Sequence, residues 1–203
     1  MIALIDYEMG NLGSVSKALE KAGFDVRITD SPQTVRDAAG IVLPGVGAFV
    51  AAIENLRKRG LDTVILDEIA RGKPFLGICL GLQMLFESGD EGAGAEGLGL
   101  FKGKTVRFTH GLKVPHMGWN QLNFKNRGPL GTDIPEGAFF YFVHSYHVAP
   151  EDESIVMCTT NYGYDFVSAI TRDNVTATQF HPEKSQKWGH KLLANFYRQV
   201  TKD

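Results

Sequence analysis

The sequence predicts an α/β fold: a single domain built on a mixed, mostly parallel central sheet, with helices on both faces and antiparallel additions in the second half. Three observations point there. Short apolar runs alternate with helix-period segments through the first 90 or so residues. The run Pro74-Phe75-Leu76-Gly77-Ile78-Cys79 is apolar on consecutive positions, as a strand covered on both faces must be. Beyond Gly89, short strand-like segments follow one another closely enough to be hairpins.

Taken in order, Ile2-Ala3-Leu4-Ile5 is the first strand, ending at Asp6 and the loop Met9-Gly10-Asn11-Leu12-Gly13. Ser14 is placed to cap a helix over 14–22 that Gly23 stops. A second strand is expected over 24–28, and Ser31-Pro32 reads as an N-cap with proline at the first helical position. Residues 40–43 are a third strand, followed at once by Pro44-Gly45-Val46-Gly47. Helical spacing runs from 49 to 70 with a break near Gly60, and resumes over 80–88 after the strand 74–79. Strand and helix in this alternation make a parallel sheet with helices on both sides. A Gly/Ala/Glu-rich loop over 91–99 then gives way to strands expected at 104–108, 119–124, 138–143, 155–159, 166–170 and 175–180. The last helix, 188–200, gathers Trp188, Leu192, Leu193, Phe196, Tyr197 and Val200 on one face. With no repeat, linker or low-complexity tract, residues 1–203 are expected to be one domain.

Composition narrows the function classes. Of 203 residues 43% are hydrophobic and 22% charged, away from the low-hydrophobicity, high-charge composition of disordered chains. Charges nearly balance, 21 basic against 23 acidic, so no bulk field draws the chain to nucleic acid or anionic lipid. No apolar run approaches the ~20 residues that span a bilayer, and the first residues lack a basic leader, so the expected location is the cytoplasm. Two cysteines, Cys79 and Cys158, make no disulfide framework and are read as thiols.

Three constellations carry chemistry. Gly77-Ile78-Cys79-Leu80-Gly81 lies where a buried strand turns into a helix. This is the nucleophile-elbow pattern with cysteine at its centre, flanked by glycines that keep side chains out of the tight turn. It lifts a sulfur to the carboxyl edge of the sheet, where open α/β folds place ligands. The following helix start favours thiolate. The bland alternative is a buried structural cysteine. The second is His181-Pro182-Glu183, where residues i and i+2 of an extended segment face the same way, so imidazole and carboxylate lie side by side. His181 is then the general base to Cys79, with Glu183 orienting its ring; a solvated surface pair is the alternative. The third is Pro44-Gly45-Val46-Gly47, which can supply an oxyanion-binding N–H from Gly45, Val46 or Gly47 beside that of Leu80. A plain turn or a phosphate loop competes, although no Lys-Ser/Thr pair follows. Cys158, on the expected strand 155–159, has no base near it in sequence and reads as a packed thiol.

These residues resemble the class I (triad) glutamine amidotransferases. The stretches Ile5-Asp6-Tyr7, Met9-Gly10-Asn11-Leu12, Leu43-Pro44-Gly45-Val46-Gly47, Gly77-Ile78-Cys79-Leu80-Gly81-Leu82-Gln83, Pro115-His116-Met117-Gly118-Trp119-Asn120, Tyr141-Phe142-Val143-His144-Ser145-Tyr146 and Gln179-Phe180-His181-Pro182-Glu183-Lys184-Ser185 look, within that family, like the glutaminase subunits of imidazole glycerol phosphate synthases. The resemblance runs from residue 2 to about 197; Glu8 stands where such chains more often have glycine. It implies a flavodoxin-like fold, a triad of Cys79, His181 and Glu183, and a substrate glutamine held by Gln83 and by backbone groups near Ser145 and Tyr146. It also implies contacts from Asn11, Tyr141 and Lys184 to a cyclase subunit in a heterodimer that receives the ammonia for histidine biosynthesis. No cofactor, metal, nucleic acid or membrane is implied.

The alternatives are the glutaminase of pyridoxal 5'-phosphate synthase or another class I amidotransferase, a zinc hydrolase using His144, His147 and His181, and a catalytically silent binding module. On a continuous strand His144 and His147, three apart, would face opposite sides and not converge on a metal. With the whole chain used by one glutaminase domain, the acceptor of the ammonia must be bound by a second chain. The glycine-rich loop, able to turn an N–H toward or away from the oxyanion, suits activity that depends on that partner.

Overall fold

Strand β1 (Ile2–Ile5) is buried at every position, and its alternation sends Ile2 and Leu4 into one core and Ala3 and Ile5 into the other. The computed structural model containing it describes residues 1–91, 94–109 and 111–202. Parallel to β1 on either side run β2 (Val26–Thr29) and β3 (Ile41–Gly45), reached through helices α1 (Leu12–Lys21) and α2 (Pro32–Asp37). Helices α3 (Phe49–Lys58) and α4 (Leu61–Ala70) lead to β4 (Phe75–Cys79), which lies parallel to β3. Between those helices Gly60 takes φ +64°, the left-handed conformation that ends one helix and lets the next begin.

Both sheet faces are covered, which is why these strands read as unbroken apolar runs. Val15 and Leu19 of α1 close over Ile2, Leu4, Val42, Leu76 and Ile78, together with Leu192, Leu193 and Phe196 of a C-terminal helix. Ala52, Ile53 and Leu56 of α3 and Val64 and Ile65 of α4 close over Ala3, Ile5, Leu43 and Phe75.

Two starts differ from expectation. Helix α1 begins two residues before Ser14, because the Asn11 side chain accepts the Ser14 N–H and takes the cap for itself. The second strand begins at Val26, since the chain still carries the turn out of α1 at Gly23, whose φ is +108°. The cap at Ser31, which accepts the Thr34 N–H ahead of Pro32, is as expected.

The larger correction follows β4. The helix expected over 80–88 is a single turn, α5 (Leu80–Gln83), and the chain then extends as β5 (Phe86–Gly89). Leu82, Met84, Leu85 and Phe86 are all buried, so apolar spacing cannot separate helix from strand here. The decision falls to pairing: β5 lies antiparallel to β6 (Ala95–Glu96) and parallel to β7 (Phe101–Arg107). Of the glycine-rich loop at 91–99, residues 92 and 93 lie outside the described residues.

The remaining strands are β8 (His116–Gln121), β9 (Asn123–Phe124), β10 (Phe139–His144), β11 (Tyr146–Pro150), β12 (Val156–Asn161), β13 (Asp165–Arg172) and β14 (Val175–Thr178), before the closing helix α6 (Gln186–Thr201). Among the described residues the main sheet has the order β2-β1-β3-β4-β14-β13-β11-β7-β5-β6, with β12 joining β13 and β9. β14 is antiparallel to β13 but parallel to β4. β8 and β10 do not complete this sheet as expected but form a two-stranded antiparallel sheet of their own. The change of sheet falls at Ser145, between β10 and β11, and makes β11 a separate strand that the sequence pattern did not mark. No described helix is long and apolar enough to cross a membrane.

Candidate active site

The parallel pairing of β4 with β14 brings together residues about a hundred apart in the chain. Ile78 is the register partner of Thr178, so Cys79 and the segment from Gln179 to Glu183 emerge at the same carboxyl edge. On the other side Gly45 is the register partner of Cys79, which sets the Pro44–Gly47 loop beside the sulfur.

Cys79 sits in the turn with φ 57° and ψ −106°, a conformation that an L-residue adopts only when its surroundings impose it. The imposition is steric. A Cβ on Gly81 would collide with the Leu43 carbonyl oxygen, and one on Gly77 would lie 2.9 Å from both Ala177 Cβ and the Gly81 carbonyl oxygen. Only glycine at both positions lets α5 start this close to β3 and β14. The helix beyond the sulfur is four residues long rather than the nine expected, so its dipole is correspondingly small and side chains must supply the electrostatics.

His181 and Glu183 are positioned by the turn Pro182–Lys184 that follows β14. The ring Nδ1 lies 2.7 Å from Glu183 Oε1, with side-chain exposures of only 3% and 2%. Nε2 makes no hydrogen bond of ordinary length to a described residue and is turned to the Cys79 sulfur. Burial works to lower the His181 pKa; the Cys79 sulfur and the Glu183 carboxylate outweigh it and hold the ring up to about 10. A sulfur on a strained turn, facing an imidazole that a buried carboxylate keeps charged, is an arrangement suited to acyl transfer through a thioester.

A cavity of about 350 Å³ opens in front of the sulfur, lined among others by Val46, Gly47, Gln83, Glu91, Ser145 and Tyr146. Gly47 has φ +97°, which reserves that turn of the loop for glycine.

The family model "Glutamine amidotransferase class-I" matches residues 3–200. This chain belongs to the class I glutamine amidotransferases. It is 54% identical over 200 residues to the imidazole glycerol phosphate synthase subunit HisH of Aquifex aeolicus, covering 98% of this chain and 97% of the relative. It is 51% identical over 195 residues to the same-named subunit of Moorella thermoacetica, covering 96% and 93%. Among solved structures, a glutamine amidotransferase superposes with a TM-score of 0.78 at 17% identity, covering 99% of this chain and all of the other. One from Thermotoga maritima superposes at 0.74 and 16% identity, covering 100% and 98%; these two likenesses speak for the fold.

In this amidotransferase the expected residues fall into two places. Cys79, Leu80, Val46, Gly47, Gln83, Ser145 and Tyr146 line the cavity, and Gly45 pairs with Cys79 directly behind it. Gln83 is buried, and its amide nitrogen donates to the Tyr146 carbonyl at 3.1 Å and to Gln179 Oε1 at 3.0 Å. Asn11, Tyr141 and Lys184 stand outside the cavity: Asn11 caps α1 on the loop leaving β1, and Lys184 Nζ lies 5.8 Å from the centre of the Tyr141 ring. Glu8, on the same loop as Asn11, has φ 68° and pairs with Arg59, so a left-handed position that suits glycine is held here by a side chain with its own ion pair.

His144 and His147 correct the expectation that they face apart. Both rings pack on Phe108 and Phe166, because the chain switches sheets between them and the strand alternation restarts. Their nitrogens are engaged within the protein. His144 bonds His116 and the Tyr146 carbonyl, and His147 bonds Tyr164 and the Val148 carbonyl. Cys158 is fully buried, 3.4 Å from Ser168 Oγ, and burial pushes its thiol up to about 12.

Sequence reasoning missed Tyr7, Glu91 and Gln179 as members of this site. Tyr7 is fully buried, donates to the Pro44 carbonyl at 2.7 Å and is raised in pKa by burial and by the charge of Cys79. Glu91 lines the cavity while accepting the Phe49 N–H at 2.7 Å. Nothing in the spacing of Tyr7 or Glu91 distinguishes it from a core aromatic or a loop carboxylate; Gln179, two residues before His181, had the alternation of an extended segment as a signal.

Proposed function

We propose that this chain is the glutaminase subunit of an imidazole glycerol phosphate synthase, with all of 1–203 as its amidotransferase domain, acting in the cytoplasm on L-glutamine. The observation that carries the reading is the meeting of the Cys79 turn with the buried His181–Glu183 pair beside a cavity of about 350 Å³, room enough for a glutamine. Relatives at about half identity over nearly the full chain support the synthase assignment. Neither of them carries the name of a pyridoxal phosphate glutaminase.

Cys79 Sγ attacks the side-chain amide carbon of glutamine, and the oxyanion is met by the Leu80 N–H and an N–H of the Gly45–Gly47 loop. His181 passes its proton to the amide nitrogen, the C–N bond breaks and ammonia leaves. It then takes a proton from water attacking the thioester, releasing glutamate and restoring the thiol. Glu183 keeps the ring oriented and supports its charge throughout. Gln83, whose two N–H groups are engaged inside the protein, offers its carbonyl oxygen to the substrate, and backbone groups at Ser145 and Tyr146 take the amino-acid end.

Ammonia released into neutral water is protonated and loses its nucleophilic lone pair, so a docked acceptor subunit, a cyclase, receives it. The two-stranded sheet offers the docking face. Its cross-strand pairs Met117–Val143, Trp119–Tyr141 and Gln121–Phe139 share one side, on which Met117 is 63%, Trp119 44% and Phe139 50% exposed. Tyr141 and Lys184 tie this face to the turn that carries Glu183, and α1, which Asn11 caps, lies against that turn.

Cys79→Ala tests the reading in the reconstituted complex. Glutamine-dependent synthesis is to vanish while synthesis fed with ammonia persists. Loss of the ammonia-fed reaction as well, in a folded complex, would show that Cys79 is structural or that the acceptor site is shared.

A further inference from the structure

The Cys79 sulfur receives a hydrogen bond that the triad does not use. Gln179 is fully buried, and its amide nitrogen lies 3.6 Å from Cys79 Sγ, an ordinary N–H···S separation. The register of β4 against β14 puts it there, one step beyond the pair Ile78–Thr178.

The direction of that bond is determined by what lies behind it. Gln179 Oε1 accepts from the Gln83 amide nitrogen, whose other proton goes to the Tyr146 carbonyl. The same carbonyl can only accept, so His144 Nδ1, 2.7 Å away, carries a proton; burial keeps that ring neutral, and its Nε2 accepts from His116 Nδ1 at 2.9 Å. His116 Nε2 in turn accepts from Asn120 Nδ2 at 3.2 Å. The Asn120 amide is oriented at 2.8 Å by the Gln121 N–H on Oδ1 and at 2.9 Å by the Asn161 carbonyl beneath Nδ2. The Tyr146 carbonyl, which can only accept, fixes the Gln83 amide, and Gln179 is left with its N–H toward the sulfur.

We propose that Gln179 is a catalytic residue whose amide N–H stabilises the Cys79 thiolate before attack, held in that orientation by Gln83 and the Tyr146 carbonyl behind it. This rests on the reading of Cys79 as the nucleophile. A sulfur only 6% exposed cannot be charged cheaply without donors, and donors to a charged acceptor are the strong ones. Among the described residues the other titratable groups about it are Tyr7 beyond β1, His181 with Glu183 beyond β14, and His144, Tyr146 and Glu91 on the cavity wall. Tyr7 gives its proton to Pro44, and His181 must be free to move its own during turnover. Gln179 is a donor that has no proton to lose at any step.

The test uses the full chain with Cys158→Ala, so that Cys79 is the one remaining thiol of two. The rate of alkylation by iodoacetamide is followed against pH in this parent, in Gln179→Leu and in Gln179→Glu. The midpoint is to rise by about one pH unit in Gln179→Leu, a tenfold smaller thiolate fraction at a given pH, and further in Gln179→Glu. Glutamate release is to fall about tenfold in kcat below the midpoint, with little change in KM, and to converge on the parent at high pH. A merely structural role would lower activity alike at every pH. An unmoved midpoint in a folded variant overturns the proposal. Should neither Gln179 variant fold, Gln83→Leu releases the Gln179 amide and must raise the midpoint in the same direction for the proposal to stand. Labelling of the parent by an electrophilic glutamine analogue separates the two ideas. If Cys79 shows no glutamine-protected labelling, the nucleophile reading fails; if it is protected but its midpoint ignores Gln179, only this inference does.

Discussion

Replacing Glu183 by glutamine keeps the shape of the residue and removes the charge that faces His181 Nδ1 at 2.7 Å. The size of the effect follows from the site. His181 is held up to about 10 from an ordinary 6.5, a difference worth about 5 kcal/mol in favour of the imidazolium. Cys79 and Glu183 together produce it against opposing burial; a hydrogen bond to a charged group is worth ~1.5–3 kcal/mol, and with the two side chains 3% and 2% exposed, so that solvent screens little, loss of the Glu183 charge removes ~2–3 kcal/mol. In a reaction whose ammonia-releasing step draws on that imidazolium, the loss corresponds to a fall in kcat of roughly 30- to 160-fold. The assay is glutamate release at saturating glutamine, on enzyme whose Cys79 content is titrated with an electrophilic glutamine analogue. KM is to change little, because Glu183 does not line the cavity. The linked stability change has a definite sign: a raised histidine pKa stabilises the fold fully below about 6.5 and loses that contribution as pH rises through about 10, so the variant's deficit should be present at pH 6 and gone above pH 10. A Glu183→Gln enzyme within threefold of wild type in kcat would refute the assignment of Glu183 as the partner of the base.

Two further predictions concern regions away from the sulfur. Glu68 is buried beneath Lys73, at 2.8 Å, and Arg71, and Lys73 above all holds its carboxyl below the usual 4.5; Lys73→Met should cost ~3 kcal/mol, roughly 6–12 °C in Tm, at neutral pH. Because a depressed carboxylate pKa stabilises fully above its unfolded value and loses that contribution as pH falls toward the folded one, the gap between wild type and variant in thermal unfolding should narrow as pH falls below 4.5, and a gap unchanged down to pH 3 would contradict it. On the exposed face of the two-stranded sheet, Trp119→Glu should weaken association with the cyclase by about 30-fold or more while glutamate release by the isolated chain stays as it was; titration of partner into variant, followed by coupled synthesis, decides the matter, and unchanged affinity would move the docking face elsewhere.

What the sequence determined alone is what depends on neighbours a few residues away. The strand Ile2–Ile5, the cap at Ser31, the break at Gly60 and the sharp turn around Cys79 all follow from local sterics and hydrogen bonding, which the residue types themselves impose. The placing of His181 beside Glu183 is local too, although the tight turn Pro182–Lys184, and not the extended segment expected, brings the ring and the carboxylate together. Tertiary structure decided the rest. The spacing over 80–88 reads as helix in the sequence, and only the ladder to Phe101–Arg107 makes 86–89 a strand. That Cys79 meets His181 and Gln179 is the work of a pairing between strands nearly a hundred residues apart, whose parallel direction no local pattern encodes. The same holds for His144 and His147, which share one aromatic cluster because the chain leaves one sheet for another at Ser145. Local rules act through a few bonds and survive in one dimension; the register of distant strands is chosen by the burial of both sheet faces at once, and that sum exists only in the folded chain.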